Sequence, residues 1–310
     1  MNAAIIDLSQ IRTRAALIDA GLTDGHIRKA VQRGNLVRVR HGAYVEGELW
    51  RRISSTDQHR LRARAVLLNA GTRVVLSHVS AALEHGASGW GLSLADVHIT
   101  RLDGRTGRRE AGVAQHRGEL GDASMTVADV AVTSPARCVA ELLGPGTGEA
   151  CLVLAHELIR RGLTTAGAID AGLATTGRWP GALSHPGFRR LLGEPCESVA
   201  ESRFLHLVRR AGLPMPVIQM AIHDEGGRMV ARLDAAWPDL GVFVEVDGRI
   251  KYDLPFGDAD PGLVLWREKR REDEVRRITG WRCLRVTWAD LERPERLIGL
   301  LRSLLGSRAA

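Results

Sequence analysis

Lysine is almost missing from this chain. Of 43 basic residues only positions 29, 251 and 269 are Lys; all the others are Arg. Guanidinium groups suit bidentate contacts with phosphate, and coding bias in a GC-rich genome gives the same skew. Aromatic residues are 4% of the total, so strands rich in Phe and Tyr are not expected. The four cysteines, Cys138, Cys151, Cys196 and Cys283, are scattered. No pair has zinc-ligand or redox spacing, which excludes a cysteine zinc module and a dithiol centre. They read as buried free thiols in a reducing compartment. No apolar run approaches transmembrane length. The start, MNAAIIDLSQ, lacks a basic stretch leading into an apolar core, so no signal peptide is expected. The expectation is a cytoplasmic protein that does not engage a membrane. What is present is ordinary globular composition, 45% hydrophobic and 25% charged, over 310 residues. That length suits two or three domains. The net charge of +7 suits a polyanionic partner.

One stretch organises the rest: RMVARLDAAWPDLGVFVEVDG, positions 228–248. It reads as two strands joined by the turn Pro238-Asp239-Leu240-Gly241, where Pro pre-sets φ and Gly permits φ > 0. With those four residues as the loop, Ala236 faces Phe243, Asp234 faces Glu245 and Arg232 faces Asp247. Alternation puts these six on one side of the sheet. Leu233, Ala235, Trp237, Val242, Val244 and Val246 take the other side. Like charges opposed across strands cost roughly 0.2–1 kcal/mol. A divalent cation with oxygen ligands between Asp234 and Glu245 would remove that cost.

The N-terminal region, 1–48, reads as a winged helix-turn-helix. A first helix over Ser9–Ala20 ends at Gly21. Thr23 caps a second helix running to Arg33. Ile27, Ala30 and Val31 form its apolar side, and Arg28, Lys29, Gln32 and Arg33 its basic side. A hairpin follows, carrying Arg38 and Arg40. A basic helix beside a basic wing is the layout of a DNA contact. The stretch GLTDGHIRKAVQRGNLVRVRHGAYV resembles the winged-helix start of AbiEi-type antitoxins of type IV toxin–antitoxin systems. Three later segments, VVLSHVSAALEHG, DVHIT and VTSPARCVAEL, are similar to the domain that follows it there. For 49–190, a mixed α/β middle domain with its linker, the resemblance implies a scaffold, or a surface for a cognate toxin or another protein. His78, His85, His98 and His116 fall in this region. No pair has zinc-helix spacing, so structural or loop histidines are expected. A Ser77–His78 nucleophile pair lacks a nucleophile-elbow context.

From 191 to 310 the expected order is α-β-β-β-α-β-α. The helix over Ser198–Ala211 opens it, and a single helix over Ala289–Leu305 closes it. A strand Arg232-x-Asp234-x-x-Trp237 comes next to Glu245-x-Asp247-Gly248. Lys269-Arg-Arg-Glu-Asp273 follows on a charged helix, then Gly280-Trp281-x-x-x-Arg285-x-Thr287. This order resembles the very-short-patch-repair-like endonuclease domains of the PD-(D/E)XK superfamily. The resemblance implies a restriction-endonuclease-like fold, a mixed sheet flanked by helices, holding Mg²⁺ (or Mn²⁺) on Asp234 and Glu245. Asp247 stands where the superfamily pattern often has Lys. Lys251 or Lys269 would then supply the positive charge, and Asp247 would orient water or bind a second metal. Glu201 matches the acidic residue on the preceding helix, with Glu197 as its rival. The bland alternative pairs Asp234 and Asp247 with Arg232 and Arg249 as surface salt bridges. The expectation is a multidomain α+β and α/β protein that cuts DNA with Mg²⁺. The alternative is a DNA-binding regulator, or antitoxin-like protein, whose nuclease fold is inactive.

Overall fold

The computed structural model describes residues 10–144, 146–176, 185–247 and 261–306, and only the backbone of 185 and of 261–269. Two compact units result: Met1–Ala150 with Gly162–Ala182, and Cys151–Arg161 with Leu183–Ala310. Both mix helices with sheets, so the chain is a mixed α/β protein. Segments 1–48 and most of 49–190 thus share one unit.

The first unit opens with β1 (Arg12–Thr13), α1 (Arg14–Asp19), α2 (Asp24–Gln32), β2 (Leu36–Arg40), β3 (Ala43–Glu46), α3 (Gly47–Arg52) and α4 (Ser55–Leu68). It continues through β4 (Val74–Leu76), α5 (His78–Glu84), β5 (Val97–Arg101), β6 (Arg109–Glu110), β7 (Val113–Arg117), β8 (Ser124–Val127), β9 (Val130–Thr133) and α6 (Pro135–Leu142). After α7 (Gly148–Arg160), most of which belongs to the second unit, α8 (Ala166–Thr175) returns to the first. The helix expected from Ser9 begins only at Arg14. Arg12 and Thr13 pair with β3 instead, and Ile11 is buried against Ala43, Val45, Leu61 and Ala65, which holds the chain extended there. Thr23 does cap α2. Its Oγ1 accepts the His26 N–H at 3.2 Å, and Nδ1 of His26 accepts the Thr23 N–H at 3.4 Å. His26 thus takes the position that Glu or Gln fills in an ordinary capping box. Six strands form a sheet in the order β6-β7-β5-β4-β9-β8. Within it β5 and β7 run parallel, His98 opposite Ala114 and Thr100 opposite His116.

The second unit holds most of α7, then α9 (His185–Arg189), α10 (Val199–Arg210), β10 (Val217–His223), β11 (Met229–Trp237), β12 (Val242–Val246), α11 (Pro261–Thr279), β13 (Arg282–Val286), α12 (Trp288–Leu291) and α13 (Pro294–Gly306). Its sheet has the order β10-β11-β12-β13. The first two pairings are antiparallel, and β12 with β13 is parallel. A parallel neighbour requires a crossover, and α11 lies on it. The β11–β12 turn is a single 3₁₀ turn over Pro238–Leu240, closed by Gly241 at φ 59°. Any Cβ there would be strained. Ala236 faces Phe243 as expected. The expected division into faces fails, however. Leu233 belongs to one buried cluster with Ala236, Phe243 and Val275 of α11. Pairing of β10 with β11 lapses at Gln219 and Asp234, and Gln219 has φ 54°. Alternation along β11 is thus interrupted between Leu233 and Ala236, where Asp234 is absent from the ladders on both sides. Trp237 meets Phe204 of α10 edge-on, ring centroids 6.4 Å apart. The expected last helix is two: Thr287 caps α12, and Pro294, which cannot continue a helix, starts α13.

Candidate functional site

The acidic residues of the second unit gather where β11 and β12 part. The last residue pair is Ala235 with Val244. One position on, where Asp234 would stand opposite Glu245, the ladder gives way to a side chain. Oδ2 of Asp234 accepts the Val246 N–H at 2.7 Å. Its Oδ1 lies 3.4 Å from Nε2 of Gln219. That amide also donates to Oε2 of Glu201 at 2.8 Å, an oxygen that accepts the Glu197 N–H at the same distance. Glu201 is buried on the first turn of α10, whose N-cap is Ser198. The Gln219 amide therefore bridges two carboxylates, and a positive φ aims it there. Nothing in the sequence marks Gln219.

The remaining acids are tied to arginines. Glu245 lies 3.7 Å from Arg271 of α11, and Asp247 3.9 Å from Arg285 of β13. Arg285 also donates to Glu272 at 3.1 Å. Arg232 pairs at 2.7 Å with Glu197, not with Asp234. Glu197, Glu201's rival, is thus half of a surface ion pair. Lys251, Arg249 and Gly248 lie outside the described residues, as does the Lys269 side chain. Burial, reinforced by the nearby Glu201, Glu194 and Asp234 carboxylates, pushes the Cys196 thiol up. Cys283, on β13, is pushed up to about 12 by burial and by Glu272 and Glu245, against the pull of Arg276. These thiols are not nucleophiles at neutral pH.

In the first unit the expected basic surface is solvent-facing. Arg28, Lys29, Gln32 and Arg33 of α2 are exposed while Ile27 is buried against Leu17 and Tyr44. Arg38 is exposed and Arg40 half-buried. Among the described residues, none of these five cations lies in an ion pair. Arg40 also lines a cavity of about 620 Å³ together with Arg101, Arg105 and Arg108.

The histidines do not all behave as expected. His85 is a buried structural group, its Nε2 2.8 Å from the Thr133 carbonyl. His78, His98 and His116 instead converge. Nδ1 of His98 lies 3.0 Å from Nε2 of His116, and the rings of His78 and His116 stack at 3.9 Å. Desolvation, with the neighbouring imidazoles adding to it, pushes His78 down to about 2 and His98 to about 4. Desolvation lowers His116 as well. Nδ1 of His78 sits 3.1 Å from Ser77 Oγ and 3.6 Å from Oε2 of Glu141. Among the described residues this is the only group of three or more His, Cys, Asp or Glu with potential ligand atoms all within 4.8 Å of one another. Spacing could not reveal it, because it depends on β5 and β7 pairing in parallel beside the start of α5.

No protein-family model matches the chain. Two uncharacterized proteins of Mycobacterium tuberculosis are similar to it, one from strain CDC 1551 / Oshkosh and one from strain ATCC 25618 / H37Rv. Each is 26% identical over 272 residues, covering 86% of this chain and 91% of the relative. Among the described residues, no helix is long and apolar enough to cross a membrane.

Proposed function

We propose that the protein is a Mg²⁺-dependent DNA endonuclease. Its cutting site would lie on the second unit's sheet, and the helix–helix–hairpin start of the first unit would be a winged-helix duplex contact. The observation that carries this reading is the parting of β11 and β12 at Asp234, with Glu245 one strand over and Glu201 brought in from α10. A restriction-endonuclease-like assignment agrees with the sheet, two antiparallel pairings and then a parallel one reached by a charged helix. The donor set fits the ion. Mg²⁺ takes hard carboxylate oxygens, usually one or two, and keeps several waters. Asp234 and Glu245 would hold it. A bound Mg²⁺ would supply Lewis acidity toward a phosphate oxygen and an acidified water.

The chain's own residues have separate tasks in this reading. The Val246 N–H fixes Asp234 against β12. Gln219 keeps Glu201 and Asp234 together without a charge clash. Arg271 and Arg285 lie near Glu245 and Asp247 and offer guanidinium forks to a phosphodiester. Exposed Arg28, Lys29, Arg33 and Arg38 suit the DNA backbone.

A second reading is a DNA-binding regulator of antitoxin type with an inactive sheet. The arginines now beside Glu245 and Asp247 favour it, because an arginine-neutralised carboxylate is a poorer cation ligand. Nicking of supercoiled plasmid decides. Cleavage with Mg²⁺, abolished by EDTA and reduced about 100-fold to 1,000-fold in Asp234→Asn or Glu245→Gln, supports the endonuclease. No metal-dependent cutting, with salt-dependent duplex binding that weakens in Arg28→Ala, supports the regulator.

A further inference from the structure

We propose that His78, His98 and His116 form a binding site for a divalent cation of the zinc class, with three imidazole ligands and one open position. The site lies wholly in the first unit and does not rest on the nuclease reading.

Three segments far apart in sequence deliver one imidazole each. His98 and His116 project from the same face of the parallel pair β5–β7, two residue pairs apart along it. His78 is the first residue of α5. Their potential ligand atoms all lie within 4.8 Å of one another. A tetrahedral site with metal–nitrogen distances of about 2.0–2.1 Å needs nitrogens separated by little more than 3 Å, and the 3.0 Å from His98 to His116 is already close to that.

The backbone at His78 is strained in a way that serves this geometry. Its φ is 52°, a left-handed value in a residue with a full side chain. Such strain costs of order 1–3 kcal/mol and persists only where the surroundings impose it. Here the imposed partner is Glu141, whose Oε2 accepts the His78 N–H at 2.9 Å. Glu141 is anchored in turn by Arg137, which donates to its Oε1 at 3.0 Å. Ser77 Oγ and the same Glu141 carboxylate face Nδ1 of the His78 ring. A proton kept on Nδ1 by these acceptors leaves Nε2 as the lone-pair donor. Ser77 Oγ at 3.1 Å, with the Glu141 carboxylate 3.6 Å from the same nitrogen, would be the outer partner that orients a metal-bound imidazole.

The electrostatics agree. Three imidazoles within van der Waals reach cannot all be protonated, and burial holds them in the neutral state that ligates a metal. Each ring is only partly buried, which leaves a path for an ion and a place for a water or substrate atom. All-nitrogen donors select zinc, cobalt, nickel or copper over magnesium and calcium. The preference is therefore opposite to that of the carboxylate site in the second unit.

The test is a Co²⁺ titration of the chelator-stripped full chain, followed by visible ligand-field absorption and by displacement with Zn²⁺. One equivalent of tetrahedral-type Co²⁺, retained in Asp234→Asn and weakened more than about 100-fold in folded His98→Gln and His116→Gln, is the expected result. A wild type without ligand-field bands overturns the site, as does unchanged titration in both histidine variants. Should a variant fail to fold by circular dichroism, X-ray absorption of the Zn²⁺-loaded wild type decides. A shell with three nitrogens at about 2.0–2.1 Å supports the site, and an all-oxygen shell overturns it.

Discussion

The two units handle clustered ionisable groups in opposite ways. In the first, three imidazoles lie against one another with no countercharge inside the trio. In the second, each carboxylate at the mouth of the sheet has its own donor: the Val246 N–H and Gln219 for Asp234, Arg271 for Glu245, Arg285 for Asp247. The difference follows from proton affinity. An imidazole loses its charge at little cost near neutral pH, so desolvation simply neutralises it. A carboxylate remains ionised and must be met by a donor or a cation. The first unit can therefore leave its imidazoles in contact without a countercharge, and the second must give each carboxylate a donor.

Three perturbations would sharpen or break that contrast. The largest concerns Arg64 and Glu84, a pair of opposite charges buried in the first unit. Arg64 donates to both oxygens of Glu84, at 3.0 and 2.7 Å, with both side chains inaccessible to solvent. Removing one partner leaves the other charged and dry. Glu84→Ala is expected to cost about 3–5 kcal/mol in denaturant unfolding. Protection from hydrogen exchange should fall in α4 and α5 and stay unchanged in β10–β13. Loss of protection in both units alike would contradict the division.

The next is acidification. A histidine pushed below its ordinary 6.5 binds fewer protons folded than unfolded between the two values, so stability rises with pH across that window. The His98 contribution is complete above about 6.5 and is lost as the pH falls toward about 4. At about 1.4 kcal/mol per pKa unit that loss is of order 3 kcal/mol. His78 falls still further and adds to it over the same range. His98→Gln should flatten the first unit's pH profile of stability between pH 6.5 and 4. An unchanged profile would show that the imidazoles are not held neutral.

The smallest tests the donor between two acids. Gln219→Leu keeps the bulk and removes the amide shared by Glu201 and Asp234. The expected cost is about 1–3 kcal/mol in denaturant unfolding. An unchanged stability would show that the shared amide is not what holds the two acids in place.

Much of the second unit could be read along the chain. Its hairpin turn, the Ala236–Phe243 register and the α-β-β-β-α-β order all follow from local signals: Pro and Gly at a turn, alternation, caps. The face assignment failed where Asp234 leaves the ladders of β11, because the partners of its side chain, the Val246 N–H and the Gln219 amide, come from the neighbouring strands. The break at Pro294 was legible in principle, since proline cannot lie inside a helix, but the apolar spacing beyond it masked the stop. In the first unit the Thr23 cap and the basic face of α2 were local and correctly placed. The start of α1 was not, because pairing with β3 outcompeted the helix.

Sequence by itself determined where turns, caps and acidic strands fall, since each depends on neighbours within a few residues. Which strands lie side by side was decided only by the tertiary structure. The parallel pairing of β5 with β7 gains its free energy from contacts many residues apart. With it came the meeting of His78, His98 and His116, and likewise the amide of Gln219 set between Glu201 and Asp234.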